Sequence, residues 1–210
     1  MIVAGEALLR LREGNLRFAS GEGGVCVELS GPRRAELSRS QHPHAIVLGC
    51  SDSRVPAEIV FDQGVGDLFV IRVAGNLVSP SLVGSVEFAA SRFGTRLVVV
   101  LGHSLCGAIR ATLEEVEKPT ENLSPNIKTM IDRIRPSVEG LLGTELRNDP
   151  GALMEQAVRA NIRASADHLR HGSELLERLI REDGLLVVGA EYSLETGLVD
   201  FFDGMDAARP

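Results

Sequence analysis

The chain has 210 residues, 44% hydrophobic and 24% charged, which fits one globular domain with a sizeable core and excludes disordered and fibrous classes. A net charge of −7 without a basic block offers nothing to neutralise phosphates, so nucleic acid is not an expected partner. The longest apolar runs, LVVVLG at 97–102 and LLVVGA at 185–190, fall far short of the roughly 20 residues that cross a bilayer, so no membrane span is expected.

Leu8, Leu9, Leu11, Leu16 and Phe18 among Arg and Glu predict a surface-packing helix over residues 4–19. Glu6, Arg10, Arg12 and Glu13 interrupt the segment before a signal-peptide core could form, and Gly21 to Gly24 end the helix. Three cysteines without a secretory signal point to a reducing compartment, with cytoplasm the simplest reading.

AIVLGC at 45–50 predicts a strand, Ser51 to Pro56 a polar loop, and AEIVFDQG a short helix. The alternation continues with a strand at 67–72, a helix from Pro80 to Phe93, a buried strand at 96–102 and a helix from Leu105 to Glu117. Two longer helices are expected over about 126–142 and 150–182, followed by LLVVGAEY as a strand that returns through GLVDFFD as an edge strand. This order predicts a single α/β domain, a mostly parallel sheet flanked by helices, with an N-terminal helical arm at 1–24 that can pack on a partner subunit.

In such sheets, ligands gather where loops leave the carboxyl ends of the strands. Two clusters fall there: CSDSR after the first strand and HSLC after the third. Cys50, His103 and Cys106 offer two thiolates and an imidazole, the donors zinc prefers, and three protein ligands leave a fourth position for chemistry. In H-x-x-C the i and i+3 positions face the same side at the start of a helix, so both side chains can reach one ion, and a first-turn position lowers a thiol's pKa. Cys50, Asp52 and Arg54 alternate and would share one side of an extended segment. Asp52 could bind the metal or be drawn off it by Arg54. By contrast, Cys26 stands in a Gly-rich turn without a nearby His and reads as an ordinary thiol. His42 and His44 read as solvated loop residues, and His168 and His171 as residues on a helix face.

CSDSRVPAE at 50–58, LFVIRVAGN at 68–76 and GHSLCGA at 102–108 resemble the β-class carbonic anhydrases. The match is dense from Gln41 to Ala111 and looser over the rest, including GAEYSLETG. The resemblance implies one Zn2+ per chain on Cys50, His103 and Cys106, with Asp52 and Arg54 as a catalytic dyad. The implied reaction is reversible hydration of carbon dioxide to bicarbonate by a zinc-bound hydroxide. The pocket would lie between subunits of a homodimer or dimer-based tetramer, with Gln41, Phe69 and Gly107 near the substrate. Some relatives carry an inhibitory bicarbonate site, two of whose residues match Arg72 and Tyr192; the expected tryptophan is Val47 here, so that site should be absent or weakened. Two rival readings are hydrolysis of carbon disulfide or carbonyl sulfide on the same fold, and a zinc-bearing assembly subunit without turnover.

Overall fold

A computed structural model describes residues 2–24 and 30–205. Five strands, β1 (Ala45–Gly49), β2 (Leu68–Arg72), β3 (Leu97–His103), β4 (Leu186–Tyr192) and β5 (Val199–Asp203), form one sheet in the order β2-β1-β3-β4-β5. The first four are parallel and β5 pairs antiparallel with β4, as the sequence pattern predicts. β1 and β3 are buried along their whole length, which is why they read as unbroken apolar runs rather than alternating ones.

Two cores sandwich the sheet. On one face, α1 (Ala4–Ser20) and the short α3 (Ala57–Val60) pack Leu8, Leu11 and Phe61 against Val47, Val99 and Val188. On the other, α4 (Pro80–Arg92), α5 (Gly107–Glu117), α6 (Pro125–Val138), α7 (Pro150–His171) and α8 (Glu174–Glu182) cover Leu48, Val98 and Val100. A seven-residue helix, α2 (Gly31–Leu37), buries no residue and had no periodic apolar signal to reveal it.

The helix expected over 150–182 is two helices. α7 ends at His171 with Gly172 as its C-cap, and the Ser173 side chain accepts the Leu176 N–H to start α8, so a cap interrupts a continuous apolar pattern.

α1 is fastened to its own sheet. The buried Asn15 donates from Nδ2 to the carbonyls of Val60 and Gly197, and its Oδ1 accepts from Val199 N–H. Leu9 and Leu16 remain exposed on the outer face. No described helix is long and apolar enough to cross a membrane.

The chain runs from β1 outward to β2, then returns across β1 to lay β3 on its other side. Loops leaving β1 and β3 therefore diverge, and open α/β sheets form their ligand crevices at this kind of switch point. Cys50 directly follows β1, and His103 ends β3.

Candidate metal centre

Topology brings together the three residues the sequence nominated. One ligand atom from each of Cys50, His103 and Cys106 lies within 4.8 Å of the others, all three residues are buried, and the two Sγ atoms are 4.0 Å apart. His103 Nδ1–H donates to the Ser104 carbonyl at 2.9 Å, which fixes the ring. Its Nε2 is buried without a hydrogen-bond partner. An orphaned buried nitrogen facing two thiols fits a soft divalent cation, because a metal supplies the partner that protein does not. Cys26 lies outside the described residues.

The H-x-x-C unit is not one helical turn, contrary to the sequence expectation. His103 is the last residue of β3, Cys106 is the N-cap of α5, and Leu105 between them has φ 57°. The chain turns sharply through this left-handed residue, and it is the turn that aims both donors at one point.

The thiols divide their roles. The Cys106 thiol is the main influence holding Cys50 as a thiolate, helped by His103 and by N–H groups of Gly75 and Asp52, each donating to Cys50 Sγ at 3.4 Å. Cys106 is pushed up, first by its hydrogen bond with Cys50 and then by burial, and the N–H groups of Ile109 and Ala108 at the helix start only partly offset this. The lowering expected for a first-turn thiol is therefore present but outweighed. Burial lowers the pKa of His103, but its interaction with the Cys50 thiolate more than reverses this.

Asp52 and Arg54 are not in an extended segment. Val55 N–H donates to the Asp52 carbonyl at 3.0 Å and Arg54 N–H to Asp52 Oδ1 at 3.0 Å, forming a tight turn. The turn lets the Arg54 guanidinium grip the carboxylate with two further bonds, Nε to Oδ1 at 2.9 Å and Nη2 to Oδ2 at 2.8 Å. This grip, with the Arg54 backbone amide, holds the carboxyl far below the usual carboxylate range. Asp52 Oδ2 lies 3.8 Å from His103 Nε2, yet Asp52 is not part of the mutually close donor set.

Of the three pocket residues expected from resemblance, only Gly107 adjoins the metal group, as the residue after Cys106. Phe69 lies on the edge strand β2, paired in register with Ile46, and packs against Phe88 and Phe93. Gln41 lines a different groove, of about 1170 Å³, with Leu37, Val65, Arg92 and Phe93. Another groove, of about 950 Å³, runs beside Ser104 and Leu105 and is walled by Leu113, Met154 and Val158. His44 departs from its expected solvated state: its Nε2 is buried without a partner, and burial lowers its pKa.

Sequence reasoning passed over Arg72 as part of the loop's architecture and missed the Gly75 N–H bound to Cys50. Neither has a local sequence signal, since both depend on β2 lying beside β1.

A mostly parallel sheet whose switch point gathers two cysteines and a histidine defines the class as an α/β protein with a candidate metal site. The family model described as carbonic anhydrase matches residues 45–199, and the chain belongs to the β-class of that family. It is similar to carbonic anhydrase 2 of Mycobacterium tuberculosis (strain ATCC 25618 / H37Rv), 36% identical over 187 residues that cover 89% of this chain and 87% of the relative. The carbonic anhydrase of Mycolicibacterium smegmatis is 35% identical over 190 residues, covering 90% and 89%. Among solved structures, the β-carbonic anhydrase CcaA superposes with a TM-score of 0.75 at 28% identity, covering 96% of this chain and 94% of that one.

Proposed function

We propose that this protein catalyses the zinc-dependent, reversible hydration of carbon dioxide to bicarbonate and a proton. The observation that carries the reading is the convergence of Cys50, His103 and Cys106 beside a carboxylate that Arg54 keeps occupied. Those three residues would hold the zinc ion. Bound zinc acts as a Lewis acid that brings the pKa of a water toward neutrality. Two thiolates and a neutral imidazole cancel the ion's formal charge, so the effect should be weaker than with three imidazoles, and activity should rise with pH.

The remaining steps belong to the chain. Asp52, kept ionised by Arg54, can accept a hydrogen bond from the attacking oxygen at Oδ2, orienting it toward carbon dioxide. Arg54 engages both oxygens of that carboxylate and sets the shape of the turn that carries it. Gly107, without a side chain, leaves the approach beside Cys106 clear; a Cβ there would meet nothing within 4 Å.

Gln41 and Phe69 lie away from Cys50 within one chain, so they would reach a substrate only from a second copy. We therefore read the functional unit as a homodimer, or a dimer-based tetramer, of single-domain chains, with the exposed side of α1 at the contact. A cytoplasmic setting, where thiols stay reduced, suits a site that needs Cys50 and Cys106 unbridged.

The test is a parallel assay of the zinc-loaded protein with carbon dioxide, carbonyl sulfide and carbon disulfide. Turnover of carbon dioxide well above the two sulfur gases is expected. Preference for a sulfur gas would assign the alternative substrate, and no turnover of any would leave a zinc-bearing assembly subunit.

A further inference from the structure

We propose that Arg72 is a positioning residue for this reaction: its guanidinium ties the turn carrying Asp52 to β2 and so keeps the Asp52 carboxylate off the metal. The inference rests on the zinc-centre reading above.

Arg72 is the last residue of β2 and pairs in register with Gly49, directly before Cys50. Past this pair the two chains stay joined by Val73 N–H to the Gly49 carbonyl at 3.1 Å and Ser51 N–H to the Val73 carbonyl at 3.2 Å. Beyond Ser51 the main chain leaves the ladder. There Arg72 takes over, donating from Nε to the Cys50 carbonyl at 3.0 Å and from Nη2 to the Asp52 carbonyl at 2.6 Å. A planar guanidinium can bridge two acceptors in this way, whereas an ammonium is a point donor.

The Asp52–Arg54 grip is internal to the turn, so it sets the shape of the turn but not its position relative to the metal donors. Among the described residues, Arg72 supplies the only side-chain hydrogen bonds from outside the turn to the main chain of Cys50 and Asp52. Asp52 Oδ2 already lies 3.8 Å from His103 Nε2. A modest pivot about Cys50 would carry it into the donor set, where it would compete with any exogenous ligand. Holding a reacting group within a fraction of an ångström is the usual contribution of such supports.

Cobalt(II) replaces zinc as a visible probe, and thiocyanate titrated into the cobalt protein reports whether the non-protein position is accessible. In R72M, thiocyanate affinity should fall about tenfold and the kcat of the zinc form about tenfold, with KM changed less than about twofold. Adding D52N to R72M should restore thiocyanate affinity to that of D52N alone, since the competing carboxylate is gone. R72K, which keeps the charge but can hold one carbonyl, should fall between wild type and R72M. Melting temperature checks each fold, and if R72M does not fold, R72K carries the test.

R72M or R72K binding cobalt and thiocyanate as wild type does would overturn the positioning role while leaving the metal centre standing. An R72M defect that D52N fails to relieve would overturn it too, because Asp52 would not be the mediator. A wild-type protein that takes up no cobalt would instead bring down the metal centre, and this inference with it.

Discussion

Arg54 meets Asp52 with three hydrogen bonds, two from its guanidinium and one from its backbone amide, at 2.8 to 3.0 Å. The Arg54 side chain is about half exposed while the Asp52 side chain is 18% exposed, so the contact matters less for stability than for where it points the carboxylate. Asp52→Asn should keep zinc at one equivalent and lower kcat/KM by about 10²-fold or more, the usual scale for a positioned acid–base group. Normal carbon dioxide hydration by the Asn variant would remove Asp52 from the mechanism.

Zinc affinity should fall as pH falls. Zinc needs two thiolates and a neutral imidazole. In the metal-free trio Cys50 is held as the thiolate by Cys106, Cys106 is pushed up by Cys50 and burial, and His103 is raised by Cys50 against burial. Cys106 thus carries a proton that metal must expel, so affinity should drop about tenfold per pH unit, and more steeply once His103 is also protonated. Chelator competition measures this; an affinity flat between about pH 6 and pH 8 would disagree with the assignment of that proton.

Asn15→Ala should loosen α1 without touching the metal residues. It removes bonds to Val60, Gly197 and Val199 at a side chain only 3% exposed. At about 1 kcal/mol for each lost bond, with buried main-chain groups left orphaned, the cost is about 3 kcal/mol in denaturant unfolding. A change under about 0.5 kcal/mol would mean that water replaces the amide.

Bicarbonate should not close this site in the manner of relatives that carry the inhibitory pocket. Val47 is fully buried in the core and Arg72 is engaged with the carbonyls of Cys50 and Asp52. Tyr192 is packed against Phe18. A bicarbonate-soaked crystal with the ion bound near Arg72 and Tyr192 would contradict this.

The strands were legible because burial on both faces makes β1, β3 and β4 nearly continuous apolar runs, and the metal donors because they sit where those runs stop. What escaped reading depends on the chain's turns and on neighbours in space. The left-handed Leu105 is a Leu where Gly or Asn would have given a signal. The turn at Asp52 read as alternation, because period-two spacing looks the same whether a segment is extended or folded back. Gly172 did not stop the long-helix reading, since only the Ser173 cap distinguishes a break from a tolerated glycine. Arg72 acts through main-chain carbonyls, which leave no trace in sequence.

The most direct measurement is a stopped-flow carbon dioxide hydration assay on metal-free protein titrated with zinc. The rate should climb linearly to one zinc per chain, level off there, and reach a higher plateau at more alkaline pH. Protein that holds one zinc on Cys50, His103 and Cys106 and hydrates carbon dioxide no faster than buffer would contradict the proposed function.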